Sequence, residues 1–483
     1  MRSHLSRLPL HHIAAAVATG LALRFVLGLE PIWWLVWIAP APLLVLALVS
    51  SAAAARWLTA LAALIGVSTN FHYFSLLMPL PAALLAVLGQ VLLWVFVVGA
   101  ARRIVLKYQS WWTIFAYPVL WVAVDTLMAS LLPDGNWASL AYSQAEVLPL
   151  LQVTSLFGVA GLLFVLALMP SALAVGLLFG SRLYRAGWAY AIALALLIAA
   201  IGYGEWRLQQ STRGAGVTFG LAAIDDAIGP NATPEYAERI WAGYERHVAS
   251  LAAQGAHVIV LPEKIAVLSP LQAELIKRRL GTLAAKHRVW IEAGLGVDDG
   301  TQRRNLSWLF TPGGVMAADF QKHFMAPAER EFVKGDAYRV PLIDRVAYGM
   351  AICKDMHFAV LGRAYGRRGA AVMLVPAWDF QVDRWMAART TLTRGVENDY
   401  AVVRASREGL LTVSDGRGRV IAESRSGPLP GANMLVTLRV GASEGTLYKQ
   451  VGDAFGWLCV AAGAMLLAVG RGRRPGDGKT GES

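Results

Sequence analysis

The first part of this chain, from residue 10 to about residue 204, is almost continuously apolar, and this run restricts the possible folds more than any other feature. The whole chain is 56% hydrophobic and only 16% charged, whereas soluble globular proteins carry roughly a quarter charged residues. A helix that crosses a bilayer needs about 20 apolar residues. The run therefore predicts a membrane domain built from several spanning helices.

The apolar run divides into seven segments that are each close to one membrane span in length. They lie at residues 10–29, 32–50, 57–78, 82–100, 110–132, 150–179 and 186–204, and an eighth lies at 454–470. Basic residues precede the first segment, as in a signal peptide, but no small-residue cleavage site follows, so we expect it to be retained. The predicted organisation is listed in chain order: a seven-span domain at 1–204, a globular domain at 205–450, an eighth helix at 451–470 and a basic tail at 471–483.

Lysine and arginine are unevenly distributed over the predicted loops. With the N-terminus inside, the basic residues on the inner side are Arg2, Arg7, Arg56, Arg102, Arg103, Lys107, Arg182, Arg185, Arg471, Arg473, Arg474 and Lys479, and the short outer loops carry none. This asymmetry follows the positive-inside rule and places residues 205–450 on the outer face, which in a bacterium is the periplasm. The net charge of +12 is thus partly topological. No basic stripe with interleaved aromatic residues indicates nucleic-acid binding.

Residues 205–450 have the composition of a mixed globular domain. Strand-like runs at 216–223, 257–262, 289–296, 350–354, 371–377 and 400–406 alternate with amphipathic stretches at 235–254, 270–287 and 382–397. Such alternation indicates an α/β fold. Three shorter runs separated by turn residues follow and are typical of antiparallel strands. The pattern therefore predicts an α/β sandwich.

Polar residues follow several predicted strands, where α/β folds usually place their chemistry. Glu263 follows HVIVLP, Lys322 follows a run at 315–320, and Cys353 follows a short apolar run. Cys353 is one of only two cysteines in the chain, so the predicted outer domain holds one thiol and no internal disulfide. An unpaired cysteine in an oxidising compartment is a liability unless it is buried or used. No HExxH or CxxC spacing occurs, so neither a metal site nor a cofactor is predicted.

A carboxylate, a lysine and a cysteine together meet the requirements of acyl transfer. A base converts the thiol to its nucleophilic thiolate, and the same carboxylate can then protonate the leaving group. A fixed cation near the carbonyl oxygen stabilises the tetrahedral oxyanion. The acyl group would be held as a thioester and passed to water or to an amine. Taken singly, Glu263 is compatible with a solvated loop carboxylate, Lys322 with a surface lysine and Cys353 with a buried residue that acts as a small hydrophobe.

Longer motifs resemble those of the nitrilase (carbon–nitrogen hydrolase) superfamily, and in particular its membrane-bound apolipoprotein N-acyltransferase branch. They include WWLVWIAPAPLL (33–44), NWASLAYSQ (136–144), VLPE (260–263), RGVENDYAVVRASREG (394–409) and GTLYKQVGDAFGWL (445–458). The resemblance implies a Glu–Lys–Cys triad on an αββα sandwich. By this match Glu263 is the general base, Lys322 the oxyanion lysine and Cys353 the nucleophile.

Further site residues follow from the same resemblance. Nitrilases carry a second glutamate shortly after the lysine, and the segment KHFMAPAEREFVKGD offers Glu329 or Glu331. The soluble nitrilase pattern selects Glu329, which we prefer, and the acyltransferase pattern selects Glu331. Trp378 and Asp379, after the strand AVMLVPA, are predicted to bind substrate.

The implied reaction moves a fatty acyl group from phospholipid, through a thioester at Cys353, to the N-terminal amine of diacylglyceryl-cysteine lipoproteins. Two differences from the acyltransferase pattern favour an alternative function. In it the protein is a membrane-anchored amidase or nitrilase that hydrolyses a smaller periplasmic C–N substrate. Lys354 and Asp355 stand where the acyltransferases usually have an aromatic residue and a glutamate, and Lys322 and Cys353 are only 31 positions apart. Seven predicted spans exceed what an anchor needs and favour the acyltransferase. An inactive scaffold is disfavoured by the complete triad, and a transporter by the lack of an inverted repeat.

Overall fold

The computed structural model describes residues 9–135, 139–179, 183–210 and 214–471. The chain forms two compact units, one comprising Met1–Glu205 with Val451–Ser483 and the other Trp206–Gln450. Most of the predicted basic tail lies outside the described residues, as do residues 136–138 of one quoted motif and Arg2, Arg7 and Arg182.

The helices, numbered along the chain, are α1 (Leu10–Arg24), α2 (Pro40–Val49), α3 (Ala52–Val67), α4 (Phe71–Leu77), α5 (Leu80–Tyr108), α6 (Ala116–Leu131), α7 (Leu148–Leu151), α8 (Thr154–Leu178), α9 (Leu183–Gln209), α10 (Pro234–Ala253), α11 (Pro270–His287), α12 (Ala359–Arg367), α13 (Arg384–Asn398), α14 (Leu447–Val451) and α15 (Ala454–Arg471). In the first unit the described residues are helical or lie in short connections. This is the expected architecture, because a spanning helix satisfies all of its backbone polar groups internally.

Within the described ranges, five helical stretches are long and apolar enough to cross a membrane. They are Ala52–Leu77, Leu80–Tyr108, Trp111–Leu131, Thr154–Leu178 and Ala186–Gln209. The segments predicted at 10–29, 32–50 and 454–470 form shorter helices: α1 has 15 residues, and the other two are apolar helices of 10–17 residues. Pro40 begins α2, where its missing N–H leaves no hydrogen bond of the helix unmade, and α2 is shorter than the second predicted span.

The strands of the second unit are β1 (Ala215–Ala223), β2 (Val258–Val260), β3 (Val267–Leu268), β4 (Trp290–Asp298), β5 (Arg303–Phe310), β6 (Met316–Gln321), β7 (Leu342–Ile343), β8 (Val346–Met350), β9 (Val372–Trp378), β10 (Ala401–Arg407), β11 (Leu410–Ser414), β12 (Val420–Arg425) and β13 (Ala432–Val440). One sheet has the order β13-β1-β2-β4-β5-β6, with β3 beside β4, and the other has the order β12-β11-β10-β9-β8-β7. Both sheets mix parallel and antiparallel pairs, as β1 shows by pairing parallel with β2 and antiparallel with β13.

Two apolar cores hold the second unit together. Val260, Met350 and Val403 belong to a cluster with members from both sheets. Ile240 of α10 and Leu280 of α11 pack with the opposite face of the first sheet, while α13 packs against β10 and β11 of the second. The layers are therefore helix, sheet, sheet, helix, and the predicted αββα sandwich is confirmed.

The strand ends meet where the two sheets face each other. Glu263 N donates to the carbonyl of Ala377 in β9 at 3.2 Å, which joins the end of one sheet to the end of the other. The structure differs from expectation at Cys353, which was predicted inside a strand at 350–354. Strand β8 ends at Met350, and a 3₁₀ turn begins at Cys353.

Candidate active site

Glu263 lies in the turn that follows β2 and is 1% exposed. Its Oε1 accepts hydrogen bonds from Lys322 Nζ at 2.7 Å and from Asn305 Nδ2 at 2.6 Å. Gly294 of β4 makes this close packing possible, since a Cβ there would lie 2.6 Å from Glu263 Cα. The carboxylate is thus held in a buried position by two donors, one in β5 and one directly after β6.

Lys322 follows β6 directly and is also 1% exposed. Its ammonium group lies between two carboxylates and donates to Glu263 Oε1 and Glu329 Oε2, both at 2.7 Å. Burial alone would lower the pKa of Lys322, but Glu263 and Glu329 raise it well above the ordinary value. The side chain therefore remains a fixed cation.

The structure distinguishes the two glutamates that the sequence left open. Glu329 is 4% exposed, and its carboxylate also accepts from Lys264 Nζ and from Asn305 Nδ2, the latter at 2.9 Å. Although burial acts to raise its pKa, Lys322 and Lys264 hold the pKa of Glu329 well below its usual range. Glu331 has a 60% exposed side chain and pairs with Arg303. Glu329, and not Glu331, therefore lies beside Lys322.

Cys353 is half-buried and has a positive φ of 44°. Such a backbone conformation is rare for a residue with a Cβ and is often found at functional sites. The Sγ donates to the carbonyl of Trp378 at 3.4 Å. Burial raises the pKa of the thiol above its ordinary value, Glu263 raises it further, and Lys322 lowers it. The resting thiol thus keeps its proton but is electrostatically coupled to the other two predicted triad members.

Trp378 is the last residue of β9 and Asp379 follows it, but the two side chains differ in burial and in their partners. Trp378 is half-buried, and its carbonyl contacts the nucleophile. Asp379 is 1% exposed, and its two oxygens accept from Arg404 Nη1 and Nη2 at 3.0 and 2.5 Å. In this arrangement Asp379 fixes the loop after β9 and presents no free carboxylate to a ligand.

Two residues at the site were given no role from the sequence. Asn305 of β5 donates to both Glu263 and Glu329. Asp355 accepts backbone N–H groups of His323, Phe324 and Ile352 at 3.0, 2.8 and 3.0 Å. Asp355 therefore ties the loop that bears Lys322 to the turn that bears Cys353. Asp355 stands where the acyltransferases usually have a glutamate, and this difference marked the position in the sequence. Only the structure shows its contacts.

The arrangement combines a base, a fixed cation and a thiol in one water-poor site. A carboxylate in such a site can take the thiol proton, and a cation fixed in advance stabilises a developing oxyanion without having to reorganise. No group of three or more His, Cys, Asp or Glu side chains suited to a metal ion occurs in the described part of the chain. The chemistry available is nucleophilic acyl transfer.

Comparison with known families covers both units. Residues 20–173 match the family model described as the apolipoprotein N-acyltransferase N-terminal domain. Residues 226–426 match the model described as carbon-nitrogen hydrolase.

One curated relative and several solved structures are similar to this chain. An apolipoprotein N-acyltransferase from Geobacter metallireducens is 28% identical over 409 residues, which is 74% of each chain. Among solved structures, an amidase from Nesterenkonia sp. is 20% identical, with 47% of this chain and 92% of that chain covered and a TM-score of 0.41. A mutant of the amidase from Nesterenkonia sp. AN1 in complex with butyramide is also 20% identical, with 50% and 96% covered and a TM-score of 0.42. This chain is a multi-pass membrane protein that belongs to the carbon–nitrogen hydrolase superfamily, in its apolipoprotein N-acyltransferase branch.

Proposed function

We propose that the protein transfers a fatty acyl group from a phospholipid to the N-terminal amine of diacylglyceryl-cysteine lipoproteins. One observation carries this proposal: the apolar unit matches the N-terminal domain of apolipoprotein N-acyltransferases, and the other unit gathers Glu263, Lys322 and Cys353. A soluble amide hydrolase needs no such apolar unit. A lipid-to-lipid transfer needs one, because both substrates reside in a bilayer.

The first half-reaction forms a thioester. As Cys353 Sγ bonds to the carbonyl carbon of the phospholipid ester, Glu263 accepts the thiol proton. Lys322 donates a hydrogen bond to the oxyanion. Collapse of the tetrahedral intermediate breaks the ester C–O bond, and Glu263 returns the proton to the lysophospholipid oxygen.

The second half-reaction consumes the thioester. The amine of the lipoprotein attacks the thioester carbonyl while Glu263 takes a proton from the nitrogen. The C–S bond then breaks, Cys353 regains a proton, and an amide is released. Splitting one difficult transfer into two steps lowers each barrier.

The protein's place in the cell follows from charge and hydropathy. We place it in the bacterial inner membrane with residues 205–450 facing the periplasm, because the predicted inner loops hold the lysine and arginine residues and the outer loops hold none. Both proposed substrates are accessible from that side.

A membrane-anchored amidase or nitrilase is the second candidate. Lys354 and Asp355 after the nucleophile favour it, as does the short interval between Lys322 and Cys353. The match of residues 20–173 to the acyltransferase membrane domain weighs against it.

The test is a transfer assay with purified protein in detergent, phosphatidylethanolamine and a diacylglyceryl-cysteine peptide. We expect the peptide to gain one fatty-acyl mass with the wild type and none with Cys353→Ala. Hydrolysis of small amides without any acylated peptide would overturn the proposal and favour the amidase.

A further inference from the structure

Two cations contact the indole ring of Trp378, the residue whose carbonyl lies 3.4 Å from Cys353 Sγ. The guanidinium carbon of Arg407 is 3.9 Å from the ring centroid, and Lys264 Nζ is 4.6 Å from it. Cations favour the faces of tryptophan rings, most strongly where water is excluded. The nucleophile therefore has a positively charged neighbourhood on the side of Trp378.

In the part of the chain that the structure describes, Arg407 forms no ion pair with a carboxylate. It is 4% exposed, and among the described residues its hydrogen bonding consists of Nη1 to the carbonyl of Asp225 at 3.4 Å, while Nε is buried without a partner. Arg404, three positions earlier, is also buried but is paired with a carboxylate, because both of its Nη atoms donate to Asp379. A buried guanidinium without an anion is costly to retain.

The acidic residues around Arg407 do not neutralise its guanidinium group. Asp225 and Glu408 lie close enough to raise the pKa of Arg407, as does Glu263, yet burial is the largest influence and the pKa falls below its ordinary value. Asp225 Oδ1 accepts from the backbone N–H of Glu408 instead. Lys264 already donates to Glu329. Of the two cations at Trp378, Arg407 is therefore the one whose charge is not balanced by a hydrogen-bonded carboxylate.

We propose that Arg407, which packs with Lys264 against the indole of Trp378, binds the phosphodiester group of the lipid that donates the acyl chain. This inference rests on the proposed function. A glycerophospholipid carries its phosphate only a glycerol unit away from the ester carbonyl, so a carbonyl at Cys353 leaves the phosphate close to Trp378, whose carbonyl contacts Cys353 Sγ and whose ring contacts Arg407. Guanidinium groups match phosphate oxygens in a two-pronged geometry. Arg407 is thus a residue that selects phospholipids over uncharged glycerolipids.

The experiment compares acyl-enzyme formation from three donors: phosphatidylglycerol, diacylglycerol and a p-nitrophenyl fatty ester. Arg407→Gln should lower kcat/KM for the phospholipid by about 10- to 100-fold, mainly through KM, since a charge-assisted hydrogen bond contributes roughly 1.5–3 kcal/mol. It should change the rates with the two uncharged donors by less than about twofold, which also reports that the variant is folded. Arg407→Lys keeps the charge and should retain part of the preference.

Arg389→Gln is the matched control, because Arg389 is another buried arginine, paired with Glu423 on the far side of β11 from this site. Its loss should leave the ratio between donors unchanged. Equal losses on all three donors in Arg407→Gln would overturn the anion site. If millimolar inorganic phosphate altered the wild-type rate on every donor but not the rate of the variant, the guanidinium would bind free phosphate and the lipid assignment would be wrong. A wild type acylated by the p-nitrophenyl ester but by no phospholipid would instead refute the proposed function.

Discussion

Glu263 raises the pKa of the Cys353 thiol, after burial, and is also its proposed proton acceptor. Glu263→Gln should therefore have two opposite effects. Acyl-enzyme formation should fall by about 10²- to 10⁴-fold, because the amide cannot accept the proton. The pKa of the thiol should fall too, because a negative charge has been removed, so a small thiol probe should label Cys353 faster at a given pH. Slower labelling together with lost activity would point to a collapsed site instead.

Glu329 and Glu331 are two positions apart but have opposite surroundings, and this difference allows a matched comparison. Glu329→Gln removes the charge that Lys322 and Lys264 share, which should cost about 1.5–3 kcal/mol, or roughly 10- to 100-fold in rate. Glu331→Gln removes an exposed pair with Arg303 and should change the rate by less than about twofold. Both are measured as thioester formation from a p-nitrophenyl fatty ester. Equal effects would mean that the buried carboxylate has no role.

Family motifs predicted both carboxylates that the structure brings together at Lys322, Glu263 and Glu329, and Glu263 also follows a predicted strand. The same reasoning could not assign Asp379 its partner. Arg404 lies 25 positions later, and only the parallel register of β9 and β10 brings the two side chains together. Asn305 was also missed as a site residue, since a polar residue within a strand carries no spacing signal of its own.

At the scale of elements, β4 and β5 bury a second carboxyl group in the same domain. Glu292 is fully buried, its Oε1 accepts from Ser307 Oγ at 2.7 Å, and its Oε2 accepts no hydrogen bond from any residue that the structure describes. Burial raises the pKa of Glu292 to about 8, although the bond from Ser307 lowers it somewhat. Between its ordinary value of 4.5 and about 8 the folded state thus binds one more proton than the unfolded chain, so this group destabilises the fold progressively as pH rises through that range.

Glu292→Gln should remove this dependence, because the amide is neutral at every pH. The Tm of the variant minus that of the wild type should increase as pH rises from about 5 to about 8 and then level off. Thermal unfolding of the detergent-solubilised proteins across this range measures it. A difference that does not change with pH would show that Glu292 is ionised in the folded state.

Sequence periodicity predicted most strands of the sandwich but not all of its elements. β5 begins with two arginines and carries an asparagine and a serine, so neither alternation nor a continuous apolar run marks it. Its Asn305 Nδ2 donates to Glu263 and Glu329, and its Ser307 Oγ donates to Glu292, so the partners of both side chains come from other segments. The strand expected to contain Cys353 ends three residues earlier, because the left-handed conformation at Cys353 cannot continue a strand.

For the whole molecule, the proposed orientation in the membrane can be tested, with residues 205–450 on the periplasmic side and the basic loops on the cytoplasmic side. Glu274 lies on the exposed side of α11, and Arg103 is an exposed residue near the end of α5 in a predicted inner segment. In a background carrying Cys353→Ala and Cys459→Ala, a membrane-impermeant maleimide added to spheroplasts should label Glu274→Cys. It should label Arg103→Cys only after the membrane is opened. The reverse pattern would contradict the periplasmic orientation.

The proposed reaction requires one covalent event above all, the transfer of a lipid acyl chain to Cys353. Purified protein incubated with phospholipid alone, without any acceptor amine, tests it by intact-mass spectrometry. We expect a gain of one fatty-acyl mass, located at Cys353 and absent from Cys353→Ala. An unchanged mass in a protein whose Cys353 still reacts with a thiol probe would contradict it, because the nucleophile would then be competent and the donor would not be a phospholipid.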